Sequence, residues 1–310
     1  MAEPYLPADH VARMERFRIS LDGLSVGDAF GSQFFIPGVH ETHFENRSNP
    51  PAPRYHYTDD TEMALGIGEV LDAFGEIQQP ELARVFATRY AIEMYRGYGA
   101  GAHQILMSIG AGTDWREAAG AAFGGQGSFG NGGAMRVAPL GGYFADDFER
   151  AAEQGRWSAE VTHAHPEGQA GTMAVAVAAA WAWQNRNASP SKRGRELLEV
   201  ARDYTPPGPT RDGIEMAIGI DLDNDPKYLA WKVGNGSHIS SQDTVPFTLW
   251  CAAKYIEDYP GSIWCTIAVG GDIDTTAAIV GGIVSLSTGR EGIPEEWLNR
   301  REPLQLKVES

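Results

Sequence analysis

Thr58, Asp59 and Asp60 stand together in "HYTDDTEMALGIG" (residues 56–68), and Asp272, Asp274 and Thr275 stand together in "GGDIDTTAAIVGG" (residues 270–282). Carboxylates and hydroxyls are hard oxygen ligands that suit Mg2+, Mn2+ or Ca2+, whereas Zn2+ ordinarily recruits His or Cys. The four carboxylates exceed what one Mg2+ usually takes from protein, which points to two metals or to one metal plus a general base. The same residues also suit two helix N-termini, where Thr and Asp satisfy orphan N–H groups and complement the helix dipole. A cap needs one acceptor, and each cluster offers three. Both readings stand at this point.

Between the clusters lies "GGQGSFGNGGAMRVAPLGGYF" (residues 124–144), the densest glycine stretch. By composition it is a linker. Phe129, Asn131, Met135 and Arg136 are not linker residues, and a glycine loop folded on a core can cradle phosphate oxygens with its N–H groups. The stretch lacks the Lys-Ser/Thr ending of a P-loop and follows no strand, so a nucleoside triphosphatase is a poor reading. "THAHPEGQAG" (residues 162–171) adds His163 and His165 beside a helix start, where they pack, cap or bind an anionic ligand. Their i,i+2 spacing is not that of helical zinc ligands.

The elements that must position these residues read as helices. Apolar periodicity and punctuation predict helices over 11–31, 60–74, 80–94, 97–112, 114–123, 146–157, 167–185, 194–203, 241–257 and 272–288. Gly27 and Gly31 allow close backbone approach. Residues 32–55, rich in Pro, Asn and His, read as a long loop, and "NRNASPSKRG" and "DYTPPGPT" as surface punctuation. No strand–helix alternation and no fixed-period repeat occurs, so the expectation is a single all-α domain over residues 1–310.

Bulk composition narrows the function classes. Lys and Arg total 25 against 41 acidic residues, a formal charge of −16, which makes bare nucleic acid an unlikely partner. Two cysteines without framework spacing fit a reducing interior. The N-terminus lacks the order of a signal peptide, and the most apolar run, Ala170 to Trp183, is too short to span a bilayer. The expectation is a soluble, cytoplasmic protein without a membrane partner, with monomer as the default.

Taken in order, "GDAFG" (27–31), "YTDDTEM" (57–63), "GSFGNGGAMRVAPLG" (127–141), "THAHPEG" (162–168) and "GGDIDTTAAIVGGI" (270–283) resemble the ADP-ribosylglycohydrolase family, over about residues 17–290. That family includes the dinitrogenase-reductase-activating glycohydrolases, the eukaryotic ADP-ribosylhydrolases and the J1 crystallins. The resemblance implies an orthogonal all-α helical bundle around two Mg2+ or Mn2+ ions. Their ligands would be Thr58, Asp59, Asp60, Asp272, Asp274 and Thr275, with Asp60, Asp272 and Asp274 carrying the catalytic role. It assigns ADP-ribose to Gly127, Ser128, Phe129, Gly130 and Asn131, with Phe129 towards the ribose or adenine and His163 near the phosphates. The implied reaction is hydrolysis at ribose C1″ of an ADP-ribosylated protein or small molecule, with ADP-ribose as product and oxocarbenium character developing at the ribose.

One position departs from the family pattern. Phe35 stands where many members carry a glutamate that serves catalysis and gating in serine-directed relatives. Glu41 and Glu45, in the loop that follows, are the carboxylates available to replace it. The departure opens arginine-directed chemistry, another acceptor, or ADP-ribose binding without turnover. The competing functions are therefore a non-catalytic ADP-ribose binder of the crystallin kind and a metal-dependent hydrolase of another nucleotide or phosphoester.

Overall fold

The computed structural model describes residues 6–188 and 190–306, and every extended element in them is a helix. The first half comprises α1 (His10–Gly31), α2 (Val39–His43), α3 (Asp59–Phe74), α4 (Gln79–Ile92), α5 (Ala100–Gly110), α6 (Trp115–Gly125), α7 (Ala138–Tyr143) and α8 (Phe148–Glu160). The second half comprises α9 (Pro166–Gln184), α10 (Pro190–Asp203), α11 (Pro209–Ile218), α12 (Pro226–Val233), α13 (Ser241–Lys254), α14 (Tyr259–Ile267), α15 (Ile273–Thr288) and α16 (Glu295–Arg300). Two isolated bridges, Tyr55 with Arg301 and Gly130 with Ser240, are the only β-type pairings among the described residues. The expected all-α class holds.

The largest helix–helix interface joins α1 to α15. Small residues make it possible: a Cβ on Gly27 would lie 2.2 Å from the Ala277 carbonyl oxygen, and one on Gly31 would lie 2.9 Å from that of Ile273. Ser20 Oγ donates to the Gly282 carbonyl across the same seam at 2.7 Å. This close approach carries Asp28, on α1, to the start of α15.

The Ala-rich run forms α9, buried from Ala170 to Ala182 apart from Met173 and packed against α7, α8, α10, α13 and α15. A helix apolar all round belongs in the centre of a bundle, and no helix among the described residues is long and apolar enough to cross a membrane. Behind the end of α1, Phe30 stacks on Trp297 with ring centroids 4.0 Å apart and meets Trp264 edge-on at 5.4 Å.

Several boundaries differ from the sequence reading. Residues 32–55 contain a 3-10 turn, Ser32–Phe35, and the short α2, not a structureless loop. The 114–123 helix is α6, and its end unwinds at Ala122, Phe123 and Gly124. The helix expected at 194–203 begins at Pro190. Helices α11, α12, α14 and α16 had no sequence counterpart. Three of them open on Pro in the first turn, where the missing N–H is harmless and the fixed φ favours the helix.

The loop that leads into the second acidic cluster hangs from α14, whose N-terminus is capped by Asp258 accepting from Gly261 N at 3.0 Å. Asp258→Ala is expected to lower stability by about 1 kcal/mol, checked by urea denaturation at unchanged m-value.

Candidate metal centre and ligand cleft

Asp28 is the hub of the first half of the centre. It is fully buried on α1, and its carboxylate accepts from Thr58 N (2.9 Å), Thr58 Oγ1 (2.9 Å), Thr61 N (3.2 Å) and Thr61 Oγ1 (2.5 Å). These bonds fix the entry of α3 against α1. Thr58 is the N-cap of α3, yet its side chain makes no cap hydrogen bond. Its hydroxyl lies instead between two carboxylates, Asp28 Oδ1 and Asp60 Oδ2, the latter at 2.7 Å. The remaining oxygen, Asp60 Oδ1, is buried with no hydrogen-bond partner.

The second half arrives on α15. Asp272 occupies the N-cap but its side chain caps nothing. Its Oδ2 accepts from Asn131 Nδ2 at 2.7 Å, and the same amide donates to Thr244 Oγ1 at 3.1 Å. Asp274, in the first turn, accepts from Thr275 N at 2.8 Å. Neither acidic helix start is thus an ordinary cap by its side chain, which corrects that part of the sequence reading.

Oxygens of Asp28, Asp60 and Asp274 lie within 4.8 Å of one another. No cation among the described residues neutralises this trio, and burial raises the carboxyl pKa of all three. For Asp60 the charges of Asp28 and Asp274 add to burial, and for Asp274 those of Asp272 and Asp28 do. Burial and the Asp28 charge also raise Asp59, whose backbone N–H donates to the Arg96 carbonyl at 2.7 Å. Like charges packed this closely out of water must be protonated or bridged by a cation. An orphaned carboxylate oxygen and an all-oxygen donor set fit a hard divalent ion.

The sequence-derived residues are therefore brought together unevenly. Thr58, Asp60 and Asp274 converge on Asp28, while Asp59 turns towards the Arg96–Gly97 segment, where a Cβ on Gly97 would sit 3.5 Å from Asp59 Oδ1. Asp272 accepts from Asn131 and interacts through its side chain with Asp274 and Thr275, and Thr275 is buried. Asp28 was missed by sequence reasoning. Its signal was present: a lone carboxylate in the small, apolar "LSVGDAFG" of a helix that buries nearly every residue there.

The glycine stretch is folded onto the core. Gly127 has φ +77°, and a Cβ there would strike His165 N at 2.6 Å. Ser128 Oγ accepts from Gly130 N at 3.2 Å, Asn131 N donates to the Ile239 carbonyl, and Ser241 N donates to that of Phe129. His163 lies against this loop: a Cβ on Gly132 would stand 3.1 Å from its Nε2. Burial, and secondarily the Arg136 charge, push the His163 pKa down to about 3, so the ring is neutral at pH 7. His165 has the other role allowed to it, capping α9 by accepting from Glu167 N at 3.1 Å.

A cleft of about 570 Å³ opens beside the loop, lined by Phe129, Trp231, Asn235, His238, Gln242 and Asp243 among others. It adjoins the acidic centre, since a Cβ on Gly236 would lie 2.9 Å from Asp272 Cβ. Phe35 is half exposed at 52%, and Glu41 and Glu45 are exposed. No hydrogen bond or ion pair ties either glutamate to the cluster among the described residues.

The all-α bundle that carries these residues has counterparts among known proteins. A family model described as ADP-ribosylglycohydrolase matches residues 9–309, and the chain belongs to that family of hydrolases. Among curated relatives, ADP-ribosylhydrolase ARH3 of Mus musculus is 29% identical, over 92% of this chain and 86% of its own length. ADP-ribosyl-[dinitrogen reductase] glycohydrolase of Rhodospirillum rubrum is 24% identical, over 93% and 89%. An ADP-ribosylglycohydrolase-related protein complex shares the fold at TM-score 0.65 and 24% identity, covering 94% of this chain and 93% of that one.

Proposed function

We propose that the chain is a metal-dependent, single-domain ADP-ribosyl hydrolase of the cytoplasm. It would release ADP-ribose from a modified protein or small molecule by hydrolysing the glycosidic bond at ribose C1″. The observation that carries the reading is the trio of buried Asp28 and Asp60 with half-buried Asp274, its oxygens within 4.8 Å, and Asp60 Oδ1 unpartnered. Names of relatives at similar length support the substrate class.

Thr58, Asp59, Asp60, Asp272, Asp274 and Thr275, joined by Asp28, would hold two Mg2+ or Mn2+ ions. When bound, the cations supply positive charge that orients the vicinal ribose hydroxyls and acidifies water. Gly127, Ser128, Gly130 and Asn131 would line the diphosphate, with His163 donating to it. Phe129 would cover the adenosine half in the adjoining cleft. Asn131 links the two halves, because the loop residue that faces the ligand also holds Asp272. Asp60, Asp272 and Asp274 remain the candidates for guiding the attacking water, whichever of them is ionised taking its proton.

The test is release of ADP-ribose with and without Mg2+, on arginine-, serine- and nucleobase-linked substrates, together with calorimetry of ADP-ribose. Asp60→Ala and Asp272→Ala should each lose metal-dependent release by at least about 100-fold, beyond the 10–100-fold typical of residues that only support a ligand. Full activity in both variants overturns the metal assignment. Binding of ADP-ribose without turnover of any conjugate replaces the hydrolase with a binder.

A further inference from the structure

Arg136 is completely buried, stacked over the Phe86 ring at 4.7 Å, and no carboxylate pairs with it among the described residues. Its NH2 donates to the Ser158 carbonyl at 3.0 Å and to Thr162 Oγ1 at 2.8 Å. Thr162 Oγ1 in turn lies 2.8 Å from His163 Nδ1. The guanidinium has only donors, so the threonine oxygen must accept from it.

The direction of the next bond follows from the hydroxyl hydrogen. Ser158 O, four residues back, receives Arg136 and makes no hydrogen bond with the Thr162 hydroxyl. No other acceptor for the Thr162 hydroxyl occurs among the described residues, and the side chain is 1% exposed. A buried O–H without an acceptor forfeits the hydrogen bond it made in water, so the hydroxyl donates to Nδ1. The ring then carries its proton on Nε2, the nitrogen that faces Gly130 and Gly132.

We propose that Thr162, oriented by Arg136, is a positioning residue that fixes His163 as a neutral Nε2–H donor aimed over the glycine loop at the ligand's phosphate oxygens. The low basicity of His163 agrees, since an imidazolium would need an acceptor at both nitrogens. The arrangement selects an anionic acceptor group over the loop without adding a charge there. It rests on the reading of loop 127–133 as the diphosphate site.

Nitrogen-15 NMR of the full-length protein at pH 7 tests it, with calorimetry of ADP-ribose in Mg2+ alongside. The wild type should show His163 as the Nε2–H tautomer. Thr162→Val, which removes the hydroxyl at nearly constant shape, should mix the tautomers and weaken ADP-ribose about tenfold, while Thr162→Ser restores both. ADP-ribose affinity in the wild type should show no step between pH 5 and 8 from this ring. A wild-type Nδ1–H tautomer overturns the proposal, even if Thr162→Val fails to fold. So does a folded Thr162→Val with unchanged tautomer and affinity. Absence of ADP-ribose binding by the wild type with the Nε2–H tautomer intact instead overturns the ligand assignment and with it the stated purpose of the relay.

Discussion

Asp60→Asn is expected to melt at a higher temperature than the wild type in chelator while losing at least about 100-fold of its metal-dependent ADP-ribose release, more than a merely supporting residue loses. The two effects have one cause. In the metal-free protein Asp60 is buried beside Asp28 and Asp274, with one oxygen unpartnered. Exchanging that oxygen for an amide removes the cost of holding a like charge or taking up a proton there, and supplies a donor to the carboxylates that remain. Relief of about 1–2 kcal/mol, the order of one to one and a half pKa units of unfavourable interaction, is the expected scale. That corresponds to a rise of roughly 1.5–3 °C for a chain of 310 residues. Divalent cations should raise the wild-type melting temperature and leave that of Asp60→Asn nearly unmoved. Wild-type activity, or a lower melting temperature in chelator, would contradict the assignment.

Gly27→Ala is expected to be strongly destabilising, because the added methyl falls inside the seam between α1 and α15. Its Cβ would lie 2.2 Å from the carbonyl oxygen and 2.7 Å from the carbonyl carbon of Ala277, both backbone atoms of α15. Backbone cannot rotate aside as a side chain can, so α1 and α15 must separate. Overpacking ordinarily destabilises by about 1–3 kcal/mol, and a clash with backbone belongs at or above the upper end. The same separation pulls Asp28 from Asp274, so cation affinity should fall with stability. Gly120→Ala is the control: its Cβ meets nothing within 4 Å, and it should be neutral or stabilising by up to about 1 kcal/mol. Thermal melts of the two variants, with and without Mn2+, check both halves.

Much of this arrangement was legible before any coordinates. The spacing of apolar residues marked α1, α3, α9 and α15, and Gly27 and Gly31 announced a close backbone approach without naming its partner. The redundancy of Thr58, Asp59 and Asp60, and of Asp272, Asp274 and Thr275, set both clusters apart from single caps. Asp28 escaped because its small, apolar setting, though visible, does not say what it faces; the packing of α1 against α15 and α3 does. Helix α11 escaped because "PPGPT" read as a breaker, although Pro209 opens the helix. His163 and His165 could not be told apart by type; the cap to Glu167 and the contact with Thr162 separate them.

The seam between α1 and α15 has a consequence for the order of assembly. Ser20 meets Gly282 across 262 residues of chain, and Asp28 meets Asp274 in the same place. Contacts this distant in sequence form only after the large entropy of closing the intervening chain has been offset by packing elsewhere. During synthesis the residues that lie between must emerge before the second aspartate cluster exists at all. A partly made chain therefore carries Asp28 and Asp60 but no Asp274 to complete the trio, and a cation that recognises all three reports the finished molecule rather than any fragment of it.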